Sequence, residues 1–240
     1  MRQEVIRAMC KELRLGTHIG EIYPSITADD FEEFLEKLLI EAIRHRAKER
    51  QKRLIRQARF DLMKGFDTFD FTDVVLPPDV TEETLASCEF VHNQQNLILY
   101  GRPGTGKTHL AIALGLEACK RDLNVMYFKT SRLVNLLAKA KEEGKEERFW
   151  KKLDKVDLLI LDEWGYIPFE RVGTQMLFEA VSACYEKRSV IITTNLPFDE
   201  WNTIFYDQKL TSAILDRLVH HGLLVRHDGQ SYRVRHSLMQ

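Results

Sequence analysis

From Asn96 onward, short apolar runs alternate with segments of helical periodicity: NLILY then KTHLAIALGLEACKR, NVMYFK then SRLVNLLAKAKEE, VDLLILD then TQMLFEAVSACYEK, and finally SVIITTN. Brief buried strands separated by helices predict an α/β domain built on a parallel sheet flanked by helices. Further on, GLLVRHDGQSYRVR reads as two short strands around the turn signal Asp228-Gly229.

Before that region the pattern is different. The segment TADDFEEFLEKLLIEAIRHRAKERQKRLIRQARF opens on a capping-box-like Thr27 and Asp30, then sets Phe31, Phe34, Leu35, Leu38, Leu39, Ala42 and Ile43 at helical spacing. Beyond Ile43 the apolar stripe thins, and Arg44, Arg46, Lys48, Arg50, Lys52, Arg53, Arg56 and Arg59 crowd together. The aromatic triplet Phe66, Phe69 and Phe71 follows, and then Pro77-Pro78, which cannot continue a helix. The expected organisation is a basic helical N-terminal domain over 1–65, a linker over 66–78 and the α/β domain over 79–240.

Composition changes this picture little. A chain of 240 residues with 44% hydrophobic and 30% charged residues is ordinary for a globular protein. The formal net charge of -1 means that affinity for nucleic acid must come from local charge, and the run from Arg44 to Arg59 is where it concentrates. Cys10, Cys88, Cys119 and Cys184 lack metal-ligand spacing and read as reduced thiols. The opening MRQEVIRAMCKELRLG is too charged for a signal peptide, and the apolar runs fall short of a membrane span. A cytoplasmic protein with no membrane partner is expected.

The candidate chemistry begins at Gly101-Arg-Pro-Gly-Thr-Gly-Lys107-Thr108, which fits G-x-x-x-x-G-K-[ST] between a predicted strand and a predicted helix. Glycines let the backbone approach phosphates closely, and the helix that follows presents its positive end to the same anion. Gly101, Pro103, Gly104, Thr105, Gly106, Lys107, Thr108 and His109 form the candidate ATP-binding set, with Lys107 reaching the β- and γ-phosphates and Thr108 ligating Mg2+. The strand LLILD ends in adjacent carboxylates, a Walker B pattern: Asp162 is expected to hold the ion and Glu163 to activate the attacking water. The strand SVIITTN ends at Asn195, a candidate sensor of the γ-phosphate or the attacking water, with Thr194 as the alternative.

In this order, and with FDTFDF ahead of the core, GRPGTGKTHLAIALG, LLILDEWGYIP, SVIITTNLPFDEW and AILDRL followed by SYRVR, the chain resembles the AAA+ superfamily over nearly its whole length. Within it the chain is similar to the IstB/DnaC-like branch, and more so to the IstB-like helper ATPases of bacterial transposons than to the DnaC-like replicative helicase loaders. The resemblance implies binding of ATP and DNA, nucleotide-dependent homo-oligomers with ATP sites at subunit interfaces, and assistance or targeting of a partner transposase. It also implies that Arg217, in AILDRL, is an arginine finger acting on the neighbouring subunit's ATP. A full C-terminal helical lid does not fit the short tail after Arg217, and Arg233 and Arg235 are left unassigned. Helicase loading remains the alternative function, and a P-loop kinase and a non-hydrolysing nucleotide switch are further readings. Lys129, Arg132, Lys139 and Lys141 make a second candidate DNA surface, while His220 and His221 read as surface histidines.

Overall fold

A computed structural model describes residues 2–166, 171–205 and 207–235. The chain divides into two compact units, Met1–Arg53 and Leu54–Gln240.

Among its described elements the first unit is helical, with helices Arg2–Glu12 and Ile19–Ile22 and the first part of a long helix, Phe31–Ala58. That helix starts three residues later than the Thr27 signal implies. Asp30 Oδ1 accepts from Glu33 N at 2.7 Å, while Glu33 Oε2 accepts from Asp29 N at 2.6 Å. An aspartate whose carboxylate reaches the third helical N–H caps as well as a threonine does, which sets the start at Asp30. Thr27 instead offers its carbonyl to Lys37 Nζ at 2.9 Å.

The second unit is the α/β domain. Its strands are β1 (Val74–Val75), β2 (Asn96–Gly101), β3 (Val125–Lys129), β4 (Leu158–Trp164), β5 (Ser189–Thr194) and β6 (Gly222–His227). They lie in the order β1-β6-β2-β5-β4-β3, with β1 antiparallel to β6 and every other pair parallel. Side chains of successive strand residues leave opposite faces, which makes two cores. Leu158, Ile160 and Ile191 face one core with Leu110, Ile112 and Leu114 of helix Lys107–Lys120. Leu159, Leu161, Val190 and Ile192 face the other, with Leu133 and Leu137 of helix Thr130–Glu142, Met176 and Leu177 of helix Arg171–Cys184, and Ile214 and Leu218 of helix Gln208–His220. Sandwiching a mainly parallel sheet between helices leaves its central strands apolar on both sides, which is why they read as unbroken hydrophobic runs.

Residues 66–78 lie in the second unit. Phe66, Phe69, Phe71, Val74 and Leu76 pack against the first of these cores, and Phe69 meets Phe71 edge to face at 4.7 Å. The expected C-terminal hairpin is not formed. After β6 the chain turns at Asp228-Gly229 and enters a short helix, Tyr232–Arg235. Both edges of β6 are already taken, by β2 and by β1, so no edge remains for a second strand. Gly229 instead lies against Asp73, whose Oδ2 stands 2.5 Å from where a Cβ would be.

Candidate functional site

The phosphate loop leaves the C-terminal end of β2 and runs into helix Lys107–Lys120. Gly104 (φ +82) and Gly106 (φ +94) hold left-handed backbone that favours glycine. A Cβ on Gly104 would also collide with Ser231 Oγ. Lys107 Nζ donates to the carbonyls of Gly101 and Arg102, each at 2.7 Å, so the ammonium lies over the loop that it is expected to share with phosphate.

Next to the loop, β4 ends in the two predicted carboxylates. Asp162 is fully buried, and its oxygens are held by hydroxyl donors. Thr108 Oγ1 donates to Oδ1 at 2.8 Å, Thr193 Oγ1 donates to the same oxygen, and Tyr127 OH donates to Oδ2 at 2.8 Å. Burying a carboxylate is costly unless its lone pairs are met, and three hydroxyls meet them here. The same contacts push the Tyr127 phenol well above its ordinary range, through burial and through the neighbouring Asp162.

Glu163 is oriented differently. The pairing of β4 with β5 is irregular between Leu161 and Trp164, and Glu163 adopts φ +58 within that irregularity. Its N–H donates to Thr193 Oγ1 at 2.9 Å, and its carboxylate meets Lys129 Nζ at 2.9 Å. Alternation along the strand already sends the second carboxylate away from the pocket that swallows the first, and the bulge then returns Trp164 to the core of Leu159 and Leu161. Lys129, expected on a DNA-facing surface, is thus engaged with Glu163, and that bond raises the lysine pKa.

Asn195 directly follows β5, between the ends of β2 and β4 in sheet order, and is half-buried. Thr194 has its hydroxyl committed elsewhere, donating to Trp164 O at 3.0 Å and accepting from Leu196 N at 3.1 Å, which leaves Asn195 the better placed of the two. Arg217 is not gathered into this cluster. Its guanidinium donates to Ala213 O at 2.8 Å and lies 5.0 Å from the Phe178 ring centre. Its carbonyl, with that of Leu218, accepts from Asn96 Nδ2 at the start of β2, whereas the phosphate loop begins at the other end of that strand. The five steps of roughly 3.3 Å along this six-residue strand put about 16 Å between its two ends.

Several further residues stand around the loop. His227, buried at the end of β6, meets Thr105 O through Nδ1 at 3.0 Å, and since a carbonyl only accepts, Nδ1 carries the proton. Burial pushes its pKa down to about 4. Tyr232 N donates to Gly104 O at 3.0 Å, and Arg235 pairs with Asp73 at 3.0 Å. The side chain of Arg233 lies outside the described residues. Phe69, whose ring centre lies 6.2 Å from that of His227, stands 3.1 Å from a Cβ position on Gly106, and His109 Nε2 meets Gly65 O at 2.9 Å. Phe69 falls in FDTFDF, His109 in GRPGTGKTHLAIALG and Tyr232 and Arg235 in SYRVR, segments quoted for the resemblance, whereas His227 is in none of them. Pro103 is exposed.

The set fits ATP with a divalent cation. A loop whose glycine leaves no room for a side chain can bring backbone to phosphate, Lys107 supplies charge, and Thr108 beside Asp162 makes an oxygen pair of the kind that holds Mg2+ directly or through water. His220 and His221 are exposed and, with Glu186, bring one ligand atom each within 4.8 Å of one another. The cysteines are free and buried, and none of the described helices is long and apolar enough to cross a membrane.

A mainly parallel sheet with a glycine loop on a central strand, paired acids on a second and a polar end on a third defines a P-loop nucleotide-binding protein of the AAA+ type. The model of the IstB-like ATP binding protein family matches residues 24–240, and the chain belongs to that family. It is 36% identical over 237 residues to the insertion sequence IS21 putative ATP-binding protein of Pseudomonas aeruginosa, covering 97% of this chain and 88% of that one. It is also 36% identical over 221 residues to the corresponding IS5376 protein of Geobacillus stearothermophilus, covering 91% and 87%. Among solved structures, the DnaC helicase loader superposes with a TM-score of 0.53 at 24% identity, covering 68% of this chain and 96% of that one. DnaI superposes with a TM-score of 0.56 at 20% identity, covering 76% and 93%. These two share its fold.

Proposed function

We propose that this chain is a DNA-binding AAA+ ATPase that assembles on DNA and assists or targets a transposase, using ATP binding and hydrolysis. The observation that carries the reading is the meeting of Thr108 and Asp162 at 2.8 Å beside the Lys107 loop, in a chain whose relatives are ATP-binding proteins of insertion sequences. Gly101, Pro103, Gly104, Thr105, Gly106 and His109 line the nucleotide, and Lys107 bears on its β- and γ-phosphates. Thr108 and Asp162 hold Mg2+, which when bound supplies charge neutralisation on the phosphates. Glu163 takes the proton of the attacking water, and Asn195 orients that water or the γ-phosphate.

Arg217 acts on the neighbour's ATP. With about 16 Å of strand between its helix end and the chain's own loop, it belongs to a junction between two copies. The basic stretch Arg44–Arg59, exposed at every arginine and lysine, contacts DNA phosphates without sequence preference, aided by exposed Arg132, Lys139 and Lys141. The N-terminal region thus supplies the main DNA contacts, and the region beyond residue 79 carries the ATP site and the auxiliary contacts.

Mixing tests the shared site. Arg217→Ala subunits added to Lys107→Ala subunits are expected to regain part of the turnover that each lacks, with duplex DNA raising the rate; no regain overturns the trans assignment. Helicase loading uses the same ATP site and is favoured by the fold shared with the DnaC loader. Capture of a transposase but not of a replicative helicase supports the first reading, and the reverse outcome the second.

A further inference from the structure

Two surfaces lie outside the ATP site, and the first shares only Arg56, Arg59 and Lys139 with the proposed DNA contacts. The first is a cavity of about 840 Å³ beside edge strand β3, between residues 54–59 and the segment from Leu136 to Val156. Met126, Phe128, Leu136 and Phe149 make part of its wall apolar, and Arg59, Lys145, Arg148, Lys152 and Lys155 surround it with positive charge. Glu143 is the one acid among the described residues that line it.

The second surface is on helix Phe31–Ala58. Phe31, Leu35, Leu39 and Ile43 recur at i, i+4 spacing and so lie on one face, and they are 93%, 54%, 43% and 69% exposed. A stripe of large apolar side chains left this open marks a contact surface. It is flanked by acids, Asp29, Asp30, Glu32 and Glu36, and the helix turns basic only beyond Ile43.

We propose that the acidic, apolar first half of this helix docks into the basic-rimmed cavity of a second copy of the chain. The two surfaces are complementary in both respects that govern association, since the stripe offers apolar side chains to an apolar wall and its flanking carboxylates face a ring of lysine and arginine. Nucleic acid is a poorer occupant, because a phosphate backbone leaves the apolar wall uncovered. Every copy carries one stripe and one cavity, so the contact is head to tail and repeats from copy to copy. It is separate from the junction at Arg217 and needs no nucleotide.

The test uses the full chain without nucleotide or DNA, in sedimentation velocity across a concentration series. Association is expected, weakening as salt is raised. Leu35→Asp, at an exposed position that leaves the core intact, is expected to weaken it at least tenfold. Arg148→Glu with Lys152→Glu is expected to do the same, as is Glu32→Lys with Glu36→Lys. A mixture of the two charge-reversed proteins is expected to regain association with each other. Leu35→Cys chains mixed with Leu136→Cys chains are expected to crosslink at twice the 28.1 kDa monomer mass. A monomer at every concentration, or association untouched by Leu35→Asp and by both reversals, overturns the proposal. So does a cavity reversal that lowers DNA affinity while leaving sedimentation unchanged, which would make the cavity a nucleic-acid site. An ATP site that fails to turn over would leave this result unaffected, so the two readings fail separately.

Discussion

His227 has two nitrogens in different circumstances. Nδ1–H is spent on Thr105 O, whereas Nε2 is buried and has no partner among the described residues. A neutral ring tolerates that arrangement and a protonated one does not, which is why burial lowers the pKa from 6.5 to about 4. Above pH 6.5 the folded and unfolded chains are equally deprotonated here. As pH falls toward 4 the unfolded chain takes up a proton that the folded one refuses, so stability declines through that window by about 3 kcal/mol. His227→Asn keeps an N–H for Thr105 and removes the titration; urea unfolding from pH 7 to 4 is expected to show a shallower loss for the variant, and parallel curves would refute the assignment. Glu163 is argued at the same scale. Glu163→Gln keeps the size of the side chain and loses its basicity, so nucleotide binding is expected to persist while turnover falls by about 10²-fold or more. Retained turnover in a single-turnover assay would remove Glu163 from that role.

The phosphate loop is held by distant neighbours, with Phe69 against Gly106, His227 bonded to Thr105 O, and Ser231 and Tyr232 at Gly104. Gly104→Ala forces a Cβ into Ser231 and leaves a left-handed φ of +82 on a residue that resists it. Nucleotide affinity is expected to fall at least tenfold by titration calorimetry, and adding Ser231→Gly is expected to restore only part of it, because the backbone strain of about 1–3 kcal/mol remains. Full restoration would make the clash the whole effect. The loop itself was legible from sequence because its geometry demands glycine at fixed places, and β2, β4 and β5 were legible because a sheet covered on both faces needs uninterrupted apolar runs. The grip on the loop was not. Its parts are an ordinary serine, tyrosine and histidine more than a hundred residues away, and although Ser231 and Tyr232 fall in SYRVR and Thr193 in SVIITTNLPFDEW, nothing local gave them, or Tyr127, the task of holding the loop or Asp162. The Asp228-Gly229 turn misled for a related reason: a turn signal is local, and the occupancy of the edges of β6 is not.

At the scale of the whole molecule, a formal charge of -1 provides no general attraction for DNA, so the proposed binding draws on local charge, first of all the exposed stretch Arg44–Arg59. Lys48→Glu with Arg53→Glu is expected to weaken duplex binding regardless of sequence and to lower the slope of log affinity against log salt by about 0.9 for each phosphate that is no longer neutralised. Fluorescence anisotropy across a salt series measures both, and an unchanged slope would move the DNA interface elsewhere. The amide of Asn96 adds a different consequence. It fastens the start of β2 to the carbonyls of Arg217 and Leu218, while the far end of the strand becomes the phosphate loop. One short, stiff rod therefore joins the phosphate loop to the arginine that is proposed to reach the next copy. In an assembly closed through Arg217, such a rod has a heading: strain entering at one copy's phosphates leaves at its neighbour's, so turnover would travel along the assembly in a single sense.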